Sequence, residues 1–173
     1  MLVRKLITVI LWISFRIKKV SFAWSVKNNI ERGTRIYNSG KKLSVGRAYI
    51  RSNVLISTEG QGEMTIGDDC FFNRNVVISS RQKIIIGDRS IFGPNVCIYD
   101  HDHRHNDRGV MPGYVCDDVI IGEDCWIGAG AIILKGTVIG KGSIVAAGAI
   151  VRGRFPEYSL IYSANEIKTK SLR

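Results

Sequence analysis

A chain of 173 residues has room for one domain with a sizeable core. Its 25 Lys and Arg against 15 Asp and Glu leave a net charge of +10, which favours anionic partners: nucleic acid, a phosphorylated cofactor or an anionic membrane surface. The four cysteines (Cys70, Cys97, Cys116 and Cys125) lack the close pairing of a zinc site and are too sparse for a disulfide scaffold, so ordinary thiols in a reducing compartment are expected.

The chain begins MLVRKLITVILWISFRIKK, with an apolar run over residues 6–15 between Arg4-Lys5 and Arg16, Lys18 and Lys19. Ten helical residues reach about 15 Å, half of a bilayer's hydrocarbon core, so the run is too short to span. Ser21-Phe22-Ala23 has the spacing of a signal-cleavage site, but the basic cluster before it is wrong for a secretory signal. Residues 1–25 are expected to form a short apolar and basic helix. It either packs on the domain or a partner, or lies in a lipid interface with its cations at anionic headgroups.

From residue 26 to 162 the dominant signal is a period of six. Read from Ile121, the hexads are IGEDCW, IGAGAI, ILKGTV, IGKGSI and VAAGAI, reaching Val151. Their first position is always Ile or Val; their fifth is always small (Cys125, Ala131, Thr137, Ser143, Ala149). The same phase runs from Ile66 through Phe72 to Ile78 and from Ile86 through Phe92 to Ile98. Residues 79–85 and 99–118 break it, and the second stretch is expected to be a loop. Six is not a helical period, and being even it preserves strand alternation from one repeat to the next. Each hexad holds a short strand and a turn, with the branched residue pointing inward, and stacked hexads bury a continuous core. That is a β-solenoid. A sandwich would put turns every 8–12 residues with no fixed phase. Residues 163–173 form a basic tail.

All three histidines fall in IYDHDHRHN, residues 98–106, on alternate residues with Asp100 and Asp102 between them. Alternation from an inward Ile98 places His101, His103 and His105 on the outer face, if the strand continues that far. The stretch is open to three readings: a metal clamp, a catalytic base with neighbours, or a polar loop. The bunching of the histidines and the absence of any other argue against a metal, and none is expected.

The hexads resemble the hexapeptide-repeat family over roughly residues 43–162, and that resemblance implies an all-β, left-handed parallel β-helix. Asn73 in FFNRNVV, His103 in GPNVCIYDHDH and Trp126 in CWIGAGA resemble, in order and interval, the acetyl-CoA-dependent sugar O-acetyltransferases of the galactoside and maltose type. The resemblance implies a homotrimer with acetyl-CoA as co-substrate and His103 as general base. A neutral imidazole with a pKa near 6.5 can deprotonate an attacking hydroxyl at neutral pH. Asn73 then contacts the acceptor sugar, although an asparagine there also suits a coil corner. Asp100, Asp102 and His101 are expected beside the substrate, and whether Asp100 or Asp102 orients the base is open.

Trp126 is implied to lie along the pantetheine arm of the coenzyme, with Ala129 and Ala147 where the arm passes close to backbone. Arg152 and Arg154 replace a threonine-lysine pair and suit the nucleotide phosphates; Lys168 and Lys170 are further phosphate neighbours. The tail departs from the family by lacking its asparagine-proline-alanine-lysine run. The acceptor expected is a sugar or lipid-linked glycan in bacterial surface polysaccharide assembly. The place expected is the cytoplasm or the inner face of the cytoplasmic membrane, contacted through residues 1–19. A zinc enzyme of the γ-carbonic anhydrase kind and a non-catalytic scaffold are the alternatives. The basic residues are not interleaved with aromatics, which argues against nucleic acid. No dinucleotide-binding glycine fingerprint is present.

Overall fold

A computed structural model describes residues 20–22 and 28–163. Those residues contain strands, turns and bends, and no α-helix. The chain winds in coils of up to three short strands. The first coil holds β1 (Val20–Phe22), β2 (Asn29–Ile30) and β3 (Arg35–Ser39), and the second β4 (Lys42–Val45), β5 (Ala48–Ile50) and β6 (Leu55–Glu59). The third has β7 (Glu63–Ile66), β8 (Cys70–Phe72) and β9 (Val77–Ser80); the fourth has β10 (Lys83–Ile86), β11 (Ile91–Phe92) and β12 (Cys97–Tyr99). An excursion follows as β13 (His101–Asn106) and β14 (Gly109–Cys116). The winding then resumes with β15 (Val119–Ile121), β16 (Trp126–Ile127) and β17 (Ile132–Ile133). The last strands are β18 (Val138–Ile139), β19 (Ile144–Val145), β20 (Ile150–Val151), β21 (Arg154–Phe155) and β22 (Leu160–Ile161).

Every third strand of the winding stacks in parallel. Sheet A runs β1-β4-β7-β10-β15-β18-β21, sheet B β2-β5-β8-β11-β16-β19-β22, and sheet C β3-β6-β9-β12-β17-β20. The inward residue of each hexad sits in register above its equivalent: Ile66, Ile86, Ile121 and Ile139 in sheet A, and Phe72, Phe92, Ile127 and Val145 in sheet B. All are buried, and Phe72 stacks on Phe92 with ring centroids 4.8 Å apart. The small fifth residues are buried too, at the corners, and Thr137 Oγ1 and Ser143 Oγ donate to neighbouring backbone carbonyls. Small size is needed there because the chain bends inward. Cys70 and Cys125 occupy this position, as their place in the hexads predicts.

Corners tighten further through left-handed residues. Asn75 and Asn95 (both φ 60°) stack in one column, joined by an Asn75 Nδ2–Oδ1 Asn95 hydrogen bond of 3.0 Å. Asparagine tolerates this conformation better than most side chains.

Two boundaries differ from the sequence reading. Val20–Phe22, assigned above to an N-terminal helix, is the first strand of sheet A, with Val20 opposite Leu43. The rest of that segment, residues 1–19 and 23–25, lies outside the described residues. The expected loop at 99–118 is mostly an antiparallel hairpin, with His103 opposite Tyr114. Its pattern is not that of a core strand because only its root packs on the solenoid: Val110, Met111 and Val115 are exposed.

Candidate active site

The hairpin leaves the solenoid at the corner between sheets C and A, and Asp100 fixes its root. Continuing the inward alternation from Ile98, Asp100 is fully buried. Its carboxylate accepts from Ser80 Oγ (2.7 Å), from the backbone N–H groups of Arg81 (2.8 Å) and Gln82 (2.8 Å), and from the ring of His101. Burial by itself would disfavour the ionised form. The hydrogen bonds from His101, Arg81, Ser80 and Gln82 outweigh it and hold the carboxyl below its ordinary pKa.

His101 is the histidine this carboxylate serves: Nδ1 lies 2.9 Å from Asp100 Oδ1, and the side chain is 14% exposed. With Nδ1–H donated to Asp100, Nε2 becomes the acceptor. Tyr99 and Tyr114 meet its ring edge-on, at centroid distances of 6.1 and 5.4 Å. His103 is exposed on the hairpin, with its ring 4.8 Å from that of Tyr114. His105 lies further out, past a bulge between residues 103 and 105.

Tyr114 and Arg81 belong to this cluster, and the sequence reading missed both. The Arg81 guanidinium sits 3.8 Å over the Tyr114 ring and also pairs with Glu59. Arg81 lies in the stretch where the six-residue phase breaks. That break was the available signal.

Asp102 has a different partner from the one sought. It accepts from Arg152 Nη2 at 2.9 Å and lies 3.6 Å from Lys135 Nζ. Of the two aspartates, Asp100 is therefore the one that meets a histidine, and that histidine is His101. Arg152, expected at the cofactor phosphates, here pairs with Asp102 and ties the hairpin to the sixth coil. Arg154 stands exposed at the start of β21.

The remaining expected site residues collect elsewhere. Trp126 projects from sheet B, 53% exposed, in a register column with Ile91, Ile144 and Leu160. Ala129 and Ala147 stack on the corner between sheets B and C, where Gly148 N–H donates to the Ala129 carbonyl (2.8 Å). The stacking is tight: a Cβ on Gly128 would approach Ala147 N to 2.6 Å. Asn73 sits two coils earlier on the same corner, its side-chain oxygen accepting from Arg74 N–H (2.8 Å). Sheet C thus separates Asn73, Trp126, Ala129 and Ala147 from Asp100, His101, His103 and Arg152. One chain does not bring the two sets together.

Among the described residues, no group of three His, Cys, Asp or Glu side chains is arranged to hold a metal ion. Burial raises the Cys70 thiol to about 11 and also raises that of Cys125.

Comparison with known proteins agrees with the repeat. Residues 118–153 match the family described as bacterial transferase hexapeptide (six repeats). Over 108 residues, 60% of this chain, the sequence is 36% identical to the probable acetyltransferase Rv3034c of Mycobacterium tuberculosis, and spans only 36% of that protein. The hexapeptide-repeat acetyltransferase VCA0836 of Vibrio cholerae, solved with acetyl coenzyme A, is 29% identical with a TM-score of 0.61, covering 74% of this chain and 69% of its own. AntD, an N-acyltransferase of Bacillus cereus solved with dTDP-4-amino-4,6-dideoxyglucose and coenzyme A, shares the fold: TM-score 0.71 at 17% identity, with 92% of this chain and 88% of that one covered. The chain therefore carries the hexapeptide repeat and the left-handed parallel β-helix of such acyltransferases.

Proposed function

We propose that this hexapeptide-repeat chain is an acetyltransferase that moves an acetyl group from acetyl-CoA to a hydroxyl of a sugar or lipid-linked glycan in bacterial surface polysaccharide assembly. The observation that carries the reading is the Asp100–His101 pair. Nε2 takes the hydroxyl proton as the acceptor oxygen attacks the thioester carbonyl. Asp100 steadies the imidazolium so formed. Collapse of the tetrahedral intermediate expels the coenzyme thiolate, which receives the proton, leaving an O-acetyl ester and free CoA. His103 is the second reading, favoured by its interval from Asn73, which resembles that of the sugar acetyltransferases.

Trp126, Ala129 and Ala147 suit the pantetheine arm: an exposed aromatic wall beside a corner built from small residues. Arg154 suits the nucleotide end. Because the histidines and Trp126 stand on different sides of one solenoid, we infer a homotrimer in which the histidine pair of one chain faces Trp126 of the next.

The test is release of free thiol from acetyl-CoA across a panel of sugars, lipid-linked glycans and polysaccharides. An acceptor should stimulate release, and His101→Ala should lower turnover about 10²–10⁴-fold with the fold retained, His103→Ala much less. The reverse ranking would assign the base to His103. No coenzyme binding and no thiol release would leave a scaffold. Stoichiometric zinc lost from both variants would indicate a metal enzyme.

A further inference from the structure

The net charge of +10 is not spread over the molecule. Residues 1–58 contain twelve Lys and Arg and a single acidic residue, Glu31; residues 59–173 contain thirteen basic and fourteen acidic ones. The excess therefore resides in the first two coils and the segment before them. Two of these cations are neutralised locally, Arg47 by Asp68 and Asp69, and Arg51 by Glu31. Arg32, Arg35, Lys41 and Lys42 are exposed and join no ion pair among the described residues.

Their placement is compact. Arg32 and Arg35 lie at one end of β3 and Lys41 and Lys42 at the other, so the four bracket the end strand of sheet C. At about 3.3 Å per residue, this patch is about 17 Å across the strand. Side chains of one sign at the terminus of a solenoid make a flat, multivalent surface for phosphates rather than a pocket for one anion. Directly upstream, Arg16, Lys18 and Lys19 and the apolar run over residues 6–15 add an element suited to a bilayer and not to nucleic acid.

We propose that the first coil and the turn into the second form a docking face for an anionic lipid surface, with Arg32, Arg35, Lys41 and Lys42 meeting lipid phosphates. The solenoid then stands end-on. Sheet C places β12, from which the histidine hairpin leaves, three strands from β3, so the Asp100–His101 pair is held about 14 Å along the axis from the membrane. That height suits an acceptor projecting from the surface rather than a headgroup, and this last point rests on the acetyltransferase reading; the docking itself does not.

The experiment is sedimentation of the full chain with vesicles of phosphatidylcholine, with and without phosphatidylglycerol. Wild type should bind only the anionic vesicles and be released at about 1 M salt, where the Debye length is about 3 Å. Each contacting cation strengthens binding about fivefold. Replacing all four (Arg32→Gln, Arg35→Gln, Lys41→Gln and Lys42→Gln) should weaken partitioning at least tenfold. Thiol release with a soluble acceptor should stay unchanged, because none of the four belongs to the site. Equal partitioning of variant and wild type, or equal binding to neutral and anionic vesicles, would overturn the proposal. Duplex DNA binding that falls with the four substitutions while vesicles are ignored would assign the patch to nucleic acid instead.

Discussion

Asp100 is the residue on which the site hangs, because it is at once buried, charged and shared between the hairpin and the corner at Ser80–Gln82. Removing it as Asp100→Ala would leave the backbone N–H groups of Arg81 and Gln82 without their acceptor, while the Ser80 hydroxyl keeps the Glu63 carbonyl. Hydrogen bonds to a charged group contribute about 1.5–3 kcal/mol each, so a loss of at least about 3 kcal/mol is expected in chemical denaturation. The sign of its pH dependence follows from its depressed pKa. The stabilisation is fully present above the unfolded value near 3.9 and is lost as pH falls through the lower folded value. Melting temperature measured downward from pH 6 should fall less steeply below about pH 4 in Asp100→Asn than in wild type. Parallel curves for the two proteins would count against the role given to this carboxylate. The thiols offer a second check. Burial that raises Cys70 to about 11 and also raises Cys125 should leave both unmodified by a thiolate-specific reagent until unfolding, while half-buried Cys97 reacts in the native state.

The hexad and the hairpin have different sources of stability. A hexad strand is only two residues long in the later coils, too short to be stable alone, and it holds because its inward side chain stacks between two neighbours. Ile133→Ala, fully buried between Ile98 and Val151, should cost about 2–5 kcal/mol, read in urea unfolding. Gly128→Ala should also destabilise, by pushing a Cβ into the backbone of the coil bearing Ala147. The hairpin has no such core. It is held at its root by Asp100, by Tyr114 under the Arg81 guanidinium and by the Asp102–Arg152 pair, which is half exposed and worth at most about 1 kcal/mol. Arg152→Ala should therefore leave overall melting almost unchanged. A large rise in the acetyl-CoA KM of this variant would support Arg152 as a cofactor contact.

At the scale of the described solenoid, its triangular section keeps the two sets of candidate site residues apart. Sheet C lies between the corner bearing Asp100 and His101 and the corner bearing Ala129 and Ala147, and Trp126 projects from sheet B. On the proposed homotrimer, mixed trimers of His101→Ala chains and Trp126→Ala chains should regain part of the activity that each parent lacks, by pairing intact residues at one interface. Mixed trimers as inactive as either parent would show that no site is shared.

By itself the sequence determined the solenoid, because a fixed six-residue period forces each large β-branched side chain to the same side and each small one to the same corner. Ile121 to Val151 could be placed in the core, and Cys70 and Cys125 in small-residue corners, from local order alone. The histidine cluster was legible too, since all three histidines lie within five residues. Only the tertiary structure decided which histidine has a carboxylate, because Asp100 turns inward at a corner while Asp102 reaches Arg152, fifty positions along the chain. The role of Arg81 was hidden likewise, since its contact with Tyr114 exists only once the hairpin folds back on the preceding coil. The extent of the hairpin was hidden for a related reason: an antiparallel pair held at its root needs no inward apolar column and leaves no period to read.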